Sequence, residues 1–265
     1  MKFTKWEQLP DDFTFDYDQE QLAGVWNQLH AGDQYTYPLD IEDYDENILQ
    51  AQADAWLQYH NGDYQKAAEM GVALGADGAV VLAKAVAAYC DYLCEDEDEV
   101  LELLSQSMEF CENAVQELPD CPNVQFVNAL LMGRYSQRIS ITKALSQGLG
   151  GKIKNHLDTT LELEPNHAEA HTAVGLYHAE IIDKIGAMIG GLTYGAKKPI
   201  AMKHFETALE LTPEAPITSI EFANGLSLLS GDDNRISELI QHASQCEALD
   251  ALQNCDISFA DDQLE

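Results

Sequence analysis

The sequence has few basic residues. Fourteen lysines and arginines stand against 46 aspartates and glutamates in 265 residues, so the formal net charge is -32. A protein that binds nucleic acid needs basic surface to displace counterions from the phosphates. The shortage of positive charge therefore argues against a nucleic-acid partner, while the large excess of acids favours solubility.

The sequence also lacks an evident targeting or membrane-spanning segment. Its first twenty residues mix acids and aromatics, whereas an export signal needs a continuous apolar stretch after its first basic residues. Reading along the chain, we find no window that approaches the roughly 20 apolar residues of a membrane span. We therefore expect a soluble, cytoplasmic protein without membrane contact.

Motifs for metal, redox or phosphate chemistry are missing as well. The six cysteines include no CxxC pair, and although Cys90 and Cys94 share a helix face that could suit a metal or redox pair, reduced thiols packed between helices are favoured. The run GLGGK at Gly148–Lys152 is followed by Ile153 where a phosphate loop needs Ser or Thr, and no strand precedes it. We expect no cofactor and no enzymatic activity.

What the sequence does contain is a succession of helical patterns. Residues 1–47 predict an aromatic and acidic leader with one helix over Asp18–His30. Residues 48–252 predict a domain of helix–turn–helix pairs, with extra chain inside two pairs at 139–151 and 186–198. Residues 253–265 form a poorly patterned acidic tail, which we expect to be frayed.

One corner recurs three times along the predicted helical domain. Pro119, Pro165 and Pro213 each follow a helix ending in Leu and precede another helix, so they mark equivalent positions of a repeated unit. Gly175 lies inside the helix that follows Pro165, where glycine costs about 1 kcal/mol relative to alanine. We expect a neighbouring helix to approach Gly175 too closely for a side chain, with Phe205 filling the space between the helices.

The residues from Ala168 to Leu211 resemble a tetratricopeptide repeat. Gly175 matches the small residue of that family's first helix, and its second helix is matched at positions Ala201, Phe205, Ala208 and Pro213. The resemblance implies an all-α, right-handed superhelical stack of about five helix–turn–helix hairpins, here with insertions. The Gly-rich insertions are also similar to those of the helical T-component proteins of TRAP-type transporters, which are exported.

Basic residues concentrate in one segment of this acidic chain. Nine of the fourteen lie between Arg134 and Lys203, where only six acids occur. The segment predicts either a site for an acidic peptide, a carboxylate or a phosphate, or a basic region that packs beside acidic helices of its own chain or of a second subunit. The predicted contacts, with Tyr194 as an apolar wall, are Arg134, Arg138, Lys152, Lys184, Tyr194, Lys197 and Lys198.

Three histidines share one side of a predicted helix. His167, His171 and His178 are spaced by four and seven residues, so a zinc site with His204 or Glu169 as a further ligand is conceivable. Packing is the stronger explanation, because His171 and His178 stand where the repeat places its interhelical aromatics. We expect no metal site.

Two functions follow from these patterns. The first is a non-enzymatic scaffold that binds a protein or peptide, possibly an acidic one, on a concave and locally basic surface around residues 134–203. The alternative is a helical protein that binds a small carboxylate or phosphate, or a metal, in a pocket roofed by the two insertions. Self-association into a homo-oligomer is compatible with either function.

Overall fold

The predicted all-α class is confirmed by the computed structural model, which describes residue 1, residues 3–229 and residues 231–264. These residues contain no strand. Short 3₁₀ turns occur at Pro38–Asp40 and Gly75–Gly78. In chain order the α-helices are α1 (Gln19–Leu29), α2 (Glu46–Asn61), α3 (Tyr64–Leu74), α4 (Ala79–Tyr92), α5 (Glu97–Glu117), α6 (Pro122–Gln137), α7 (Ile141–Ser146), α8 (Leu149–Leu163), α9 (Ala168–Ile185), α10 (Ala187–Tyr194), α11 (Lys198–Leu211), α12 (Pro216–Leu228), α13 (Asp233–Ser244) and α14 (Ala251–Leu264).

Successive helices pack as hairpins that lie side by side. The pairs are α2 with α3, α4 with α5, α6 with α8, α9 with α11, and α12 with α13. First helices of neighbouring hairpins also touch, since α4 packs on α6 and α9 packs on α12. The two insertions are helical, with α7 lying between α6 and α8 and α10 between α9 and α11.

The turn between α2 and α3 is formed by Gly62 and Asp63. Gly62 ends α2 in the left-handed conformation, with φ of 99°, which glycine adopts without steric cost. Asp63 caps α3 by accepting a hydrogen bond from the backbone N–H of Lys66 at 3.1 Å. The order Gly–Asp between two amphipathic segments suits both roles.

The three proline corners are copies of one another. Leu118, Glu164 and Thr212 each end a helix, and Pro119, Pro165 or Pro213 follows in a two-residue turn. At each corner a backbone N–H three residues beyond the helix end donates to the carbonyl of that end residue, at 3.2 Å in all three cases. The repeated unit predicted from the prolines is therefore present in the backbone.

The predicted close approach at Gly175 is confirmed. A Cβ atom on Gly175 would lie 2.5 Å from Cε1 of Phe205, and one on Gly225 would lie 2.2 Å from Cζ of the same ring. Phe205 is 1% exposed and stacks on Phe222 with ring centroids 4.9 Å apart. Glycines on α9 and α12 thus admit a ring from α11.

The leader is anchored by aromatic side chains, as expected. Trp6 is 1% exposed and stacks on Tyr89 of α4 with ring centroids 4.2 Å apart. Trp26 of α1 is equally buried and meets Trp56 of α2 edge to face. The leader therefore covers the first hairpins rather than extending from them.

The expectation of a frayed tail is wrong. Residues 251–264 form α14, which packs on α13, α12 and α2. Its start is tied to the other end of the chain, because the amide of Asn254 donates to the carbonyl of Phe13 at 3.0 Å and Tyr17 donates to the carbonyl of Leu249 at 2.7 Å. The sequence concealed this helix because part of what holds it in place lies more than 200 residues away.

One stretch is longer and more apolar than expected from the sequence, where no window was thought to approach a membrane span. Tyr64–Tyr92 is long and apolar enough to cross a membrane by length and composition. However, 56% of the apolar window within this stretch is buried inside the protein. In the structure it comprises α3, a 3₁₀ turn and α4, and the two helices pack against each other. Burial in the first two hairpins accounts for its hydrophobicity.

Candidate functional site

A cavity of about 280 Å³ lies between the hairpins and is called the central cavity below. Its walls come from α4, α6, α8 and α9, with α12 and α14 at one side. Both insertions border it, α7 through Ile141 and Leu145 and α10 through Tyr194. The lining is mostly apolar and includes Phe126, Leu130, Leu149, Ile153, Leu157 and Ile181.

Among the charged side chains that border the cavity, acids outnumber cations. Three are cations and five are acids: Lys84, Arg134, Lys184, Asp91, Glu169, Glu180, Glu221 and Asp256. Three of the acids, Asp91, Glu221 and Asp256, come from outside the basic segment of the sequence. The cavity wall consequently carries an excess of carboxyl groups, although the neighbouring segment is basic.

Lys84 lies on the wall with two carboxylates. Its Nζ donates to Asp33 Oδ2 at 2.7 Å and to Glu169 Oε1 at 2.8 Å. Burial alone would lower the pKa of Lys84, but the two carboxylates raise it above its ordinary value. Burial alone would likewise raise the pKa of Asp33, and the charges of His30 and Lys84 instead hold it well below its usual range.

Arg134 forms a second ion-pair group on the same wall. Its Nε lies 2.9 Å from Asp91 Oδ2, and its Nη2 donates to Glu221 Oε1 at 3.0 Å. Arg138 extends the group, with Nη2 3.2 Å from Asp91 Oδ1. Burial would lower the pKa of Arg134, but Asp91 and Glu221 raise it, so the guanidinium stays charged.

Asp256 is the buried acid that α14 brings to the cavity. The side chain is 1% exposed, and its Oδ1 accepts a hydrogen bond from the hydroxyl of Tyr92. Its Oδ2 is buried without a hydrogen-bond partner among the atoms of the described chain. Burial raises the pKa of Asp256 to about 8, and the charges of Asp250 and Glu221 add to the effect.

A line of buried polar groups joins the leader to the C-terminal segment behind Lys84. His30 Nδ1 lies 2.9 Å from Asp33 Oδ1, and His60 Nδ1 lies 2.8 Å from Asp250 Oδ2. The two Nε2 atoms are 3.1 Å apart. Each Nδ1 must donate to its carboxylate, so a neutral imidazole would present an accepting Nε2. Two acceptors cannot form a hydrogen bond, so a hydrogen bond between the two Nε2 atoms requires one additional proton on the pair.

The remaining predicted contacts lie in different places. Lys184 and Tyr194 border the central cavity, and Lys184 Nζ lies 3.2 Å from Glu180 Oε2 on the same helix. Lys152 is exposed on α8, 3.7 Å from Glu112 of α5. Arg134, Arg138, Lys152 and Lys184 are each within ion-pair distance of a carboxylate.

Lys197 and Lys198 belong to a second, shallow groove, called the α10 groove below. Both residues are exposed, and Nζ of Lys198 donates to the carbonyl of Leu229 at 3.0 Å. Other residues of this groove are Ile182, Ala187, Met188, Leu192 and Leu228. Met188 is 80% exposed and Leu192 is 85% exposed, so α10 presents apolar side chains directly to solvent.

The three predicted histidines have separate structural environments. His167 caps α9 by accepting from the N–H of Ala170, and its Nε2 lies 3.2 Å from Asn123 Oδ1. His171 meets His204 of α11 with their Nδ1 atoms 2.8 Å apart. His178 is buried at the packing position expected from the repeat. Within the described ranges, no three His, Cys, Asp or Glu side chains are grouped as metal ligands.

The cysteines are all free thiols. Cys90, Cys111 and Cys255 are buried, and burial raises the pKa of each to about 12. A thiol with a raised pKa is a poor nucleophile. Packing is thus the role these side chains have in the fold.

Sequence reasoning missed the buried charges beside the cavity. Lys84 did carry a signal, because it is the only charged residue in the apolar run of α4 from Ala79 to Cys90. A lone charge in a buried helix needs a partner, and such residues mark networks or sites. Glu221 and Asp256 gave no comparable signal, since acids abound throughout the chain.

Taken together, the fold and the cavity define an all-helical protein of repeated hairpins that encloses a mainly apolar chamber. A family model described as "Regulator of microtubule dynamics protein 1-3" matches residues 49–223, which is well over half of the chain. The chain therefore belongs to this family. The match runs from α2 into α12 and leaves out the leader, α13 and α14. No curated protein matches the chain significantly.

Proposed function

We propose that the protein is a non-enzymatic binding protein that takes an elongated apolar molecule, such as one alkyl chain, into the central cavity. The observation that carries this proposal is the apolar lining of a cavity bordered by five or more helices. Small-molecule sites are concave and mostly apolar, with a few polar groups that fix orientation. The cavity volume of about 280 Å³ is near the lower end of the range for such sites.

The position of the insertions and of α14 supports a small ligand over an extended peptide. A stack of helical hairpins ordinarily leaves an open concave groove along which a peptide can lie. Here α7 and α10 border the chamber, and α14 contributes Leu252 and Asp256 to its wall. These three helices occupy space that a peptide running through the groove would need.

We also infer that the hairpins form a right-handed superhelical stack of about five tetratricopeptide-like units. The three equivalent proline corners and the contacts between first helices of adjacent hairpins support this arrangement. The matching family is not the tetratricopeptide family by name, so the assignment rests on geometry. The insertions lengthen two units, which explains why the proline spacing exceeds the usual period of roughly 34 residues.

Binding of Nile red and its displacement by decan-1-ol would test the proposed ligand class. Ala173 of α9 borders the cavity, so Ala173→Phe fills it and is expected to weaken both ligands about tenfold or more, equivalent to about 1.4 kcal/mol. Ala23→Phe on the exposed surface of α1 is the matched control and is expected to bind normally. Equal binding by the wild type and Ala173→Phe, or no binding by the wild type, would reject the proposal.

The α10 groove supports a second candidate function, the docking of an acidic peptide or protein segment. Met188 and Leu192 offer exposed apolar contacts beside Lys197 and Lys198, which would attract acidic side chains. In a pull-down from native extract, Lys197→Glu with Lys198→Glu should abolish capture of such a partner. Retention of all partners would exclude this surface. Because the family's description names regulators of microtubule dynamics, tubulin is one partner to look for in the pull-down.

A further inference from the structure

We propose that the molecule held in the central cavity carries an uncharged hydrogen-bonding head, such as a hydroxyl or amide, and that Asp256 binds this head. This inference rests on the proposed function and specifies its ligand class. It departs from the carboxylate or phosphate that the basic segment of the sequence suggested. Two observations support it: the cations on the cavity wall are paired with carboxylates, and one buried oxygen atom of Asp256 has no hydrogen-bond partner among the described atoms.

The cations on the wall already have carboxylate partners. Lys84 contacts Asp33 and Glu169, and Arg134 contacts Asp91 and Glu221. A carboxylate or phosphate head would have to displace one of these acids from its partner. It would also add negative charge to a wall on which acids already outnumber bases. An anionic head is therefore disfavoured both by competition and by repulsion.

Lys184 does not change this balance. Its Nζ is paired with Glu180 Oε2 at 3.2 Å, and the side chain is one third exposed, so solvent screens its charge. The neighbouring Gln137 donates to the other oxygen of Glu180. This side of the cavity is thus neutral overall and does not attract an anion.

Asp256 offers an unused hydrogen-bonding position. Its Oδ1 is occupied by the Tyr92 hydroxyl, while Oδ2 is buried and has no partner among the described atoms. A buried polar atom without a partner is unfavourable, and a ligand hydroxyl or amide would supply the missing hydrogen bond. Tyr177, whose buried hydroxyl likewise lacks a partner, also borders the cavity.

The surroundings of Asp256 keep the carboxyl group uncharged near neutral pH. The charged and titratable groups around it are Tyr92 on α4, Arg134 on α6, Glu221 on α12 and Asp250 before α14. Desolvation and the two acids outweigh Tyr92 and Arg134 and raise the pKa of Asp256 to about 8. An uncharged carboxyl can both donate to and accept from a hydroxyl or amide head.

Competition between three chains of equal length tests the inference. Decan-1-ol, decanoate and decylamine differ only in the charge of the head, and each is titrated against bound Nile red at pH 7. We expect decan-1-ol to displace the dye at a concentration at least about tenfold lower than either charged chain, equivalent to about 1.4 kcal/mol. Tighter or equal binding of decanoate or decylamine would overturn the inference while leaving an apolar ligand in place.

Two variants then assign the effect to Asp256. Asp256→Asn keeps an uncharged hydrogen-bonding group and is expected to bind decan-1-ol within about threefold of the wild type, or about 0.7 kcal/mol. Asp256→Leu removes the group and is expected to weaken decan-1-ol about tenfold. A native circular dichroism spectrum shows that the variant is folded. Unchanged decan-1-ol affinity in Asp256→Leu would overturn the assignment. If the wild type binds neither dye nor chains, the proposed function itself fails.

Discussion

Gly175 and Phe205 occupy one space: the ring of Phe205 lies where a side chain on Gly175 would have to be. The distance from an added Cβ on Gly175 to Cε1 of Phe205 is 2.5 Å, and one on Gly225 would lie 2.2 Å from Cζ, the next atom of the same ring. Phe205 has little room to retreat, because it is stacked on Phe222. This contact joins α9, α11 and α12 into one packed unit.

Gly175→Ala is therefore expected to destabilise the protein. Alanine is the better helix former by up to about 1 kcal/mol, but overpacking a close contact costs about 1–3 kcal/mol and here concerns a ring held on both sides. We expect a net loss of about 1–2 kcal/mol in the free energy of unfolding, measured by urea titration.

Gly24→Ala is the matched control for this substitution. Gly24 lies inside α1, and an added Cβ would meet nothing within 4 Å. The same change should there stabilise the protein by about 0.5–1 kcal/mol. A stabilising effect at both glycines would contradict the close-packing explanation of Gly175.

Lys84→Met is expected to cost about 3–5 kcal/mol, because it leaves Asp33 buried with too little compensating charge. The side chain of Asp33 is fully buried, so solvent cannot take over the role of the ammonium group. Chemical denaturation measures the loss. Adding Asp33→Asn to Lys84→Met should recover part of it, since the unpaired charge is then removed.

Lys66→Met serves as the control for the loss of a lysine charge. Lys66 is exposed on α3, and surface substitutions usually change stability by about 0.5 kcal/mol or less. An equal loss for Lys66→Met and Lys84→Met would show that net charge, rather than the buried ion pair, determines the effect.

Asp256→Asn should raise stability, and more so as the pH rises. The pKa of Asp256 is about 8 in the folded protein and 3.8 in the unfolded chain, so the folded state binds the extra proton between these values. Stability of the wild type attributable to this group is therefore full below pH 3.8 and falls until about pH 8. The unfolding free energies of the two proteins should diverge from pH 4 to pH 9, and the difference should reach on the order of 6 kcal/mol. Parallel curves would show that Asp256 titrates normally.

The extra proton between His30 and His60 is directly observable. Burial lowers the pKa of His60, although the hydrogen bond and the charge of Asp250 act in the opposite direction. We expect nitrogen NMR at pH 7 to show three protonated nitrogens in the two rings together, one more than two neutral imidazoles carry. Two neutral rings in the spectrum would contradict the proton count.

Local rules explain why much of the fold could be predicted. The corners at Pro119, Pro165 and Pro213 and the Gly62–Asp63 turn are set by backbone chemistry within a few residues. Gly175 indicated a long-range contact only because glycine is unfavourable inside a helix, so that its presence there suggests a close neighbour. Such features need no knowledge of the remainder of the chain.

The cavity wall could not be predicted in the same way. The basic segment from Arg134 to Lys203 suggested an anion site, yet Arg134 meets Asp91 from α4 and Glu221 from α12. Among 46 acids, sequence alone does not show which ones fold against a given base. The position of α14 was hidden for the same reason, since some of its contacts are with the opposite end of the chain.

The contacts of α14 with the leader bear on how the protein unfolds. Linear arrays of hairpins melt from their termini, because each unit touches only its neighbours. In this molecule α14 and the residue before it hold the N-terminal part of the chain, through Asn254 with Phe13 of the leader and Asp250 with His60 of α2. Neither terminus can then unfold separately. Heating should therefore unfold the whole domain in a single cooperative step.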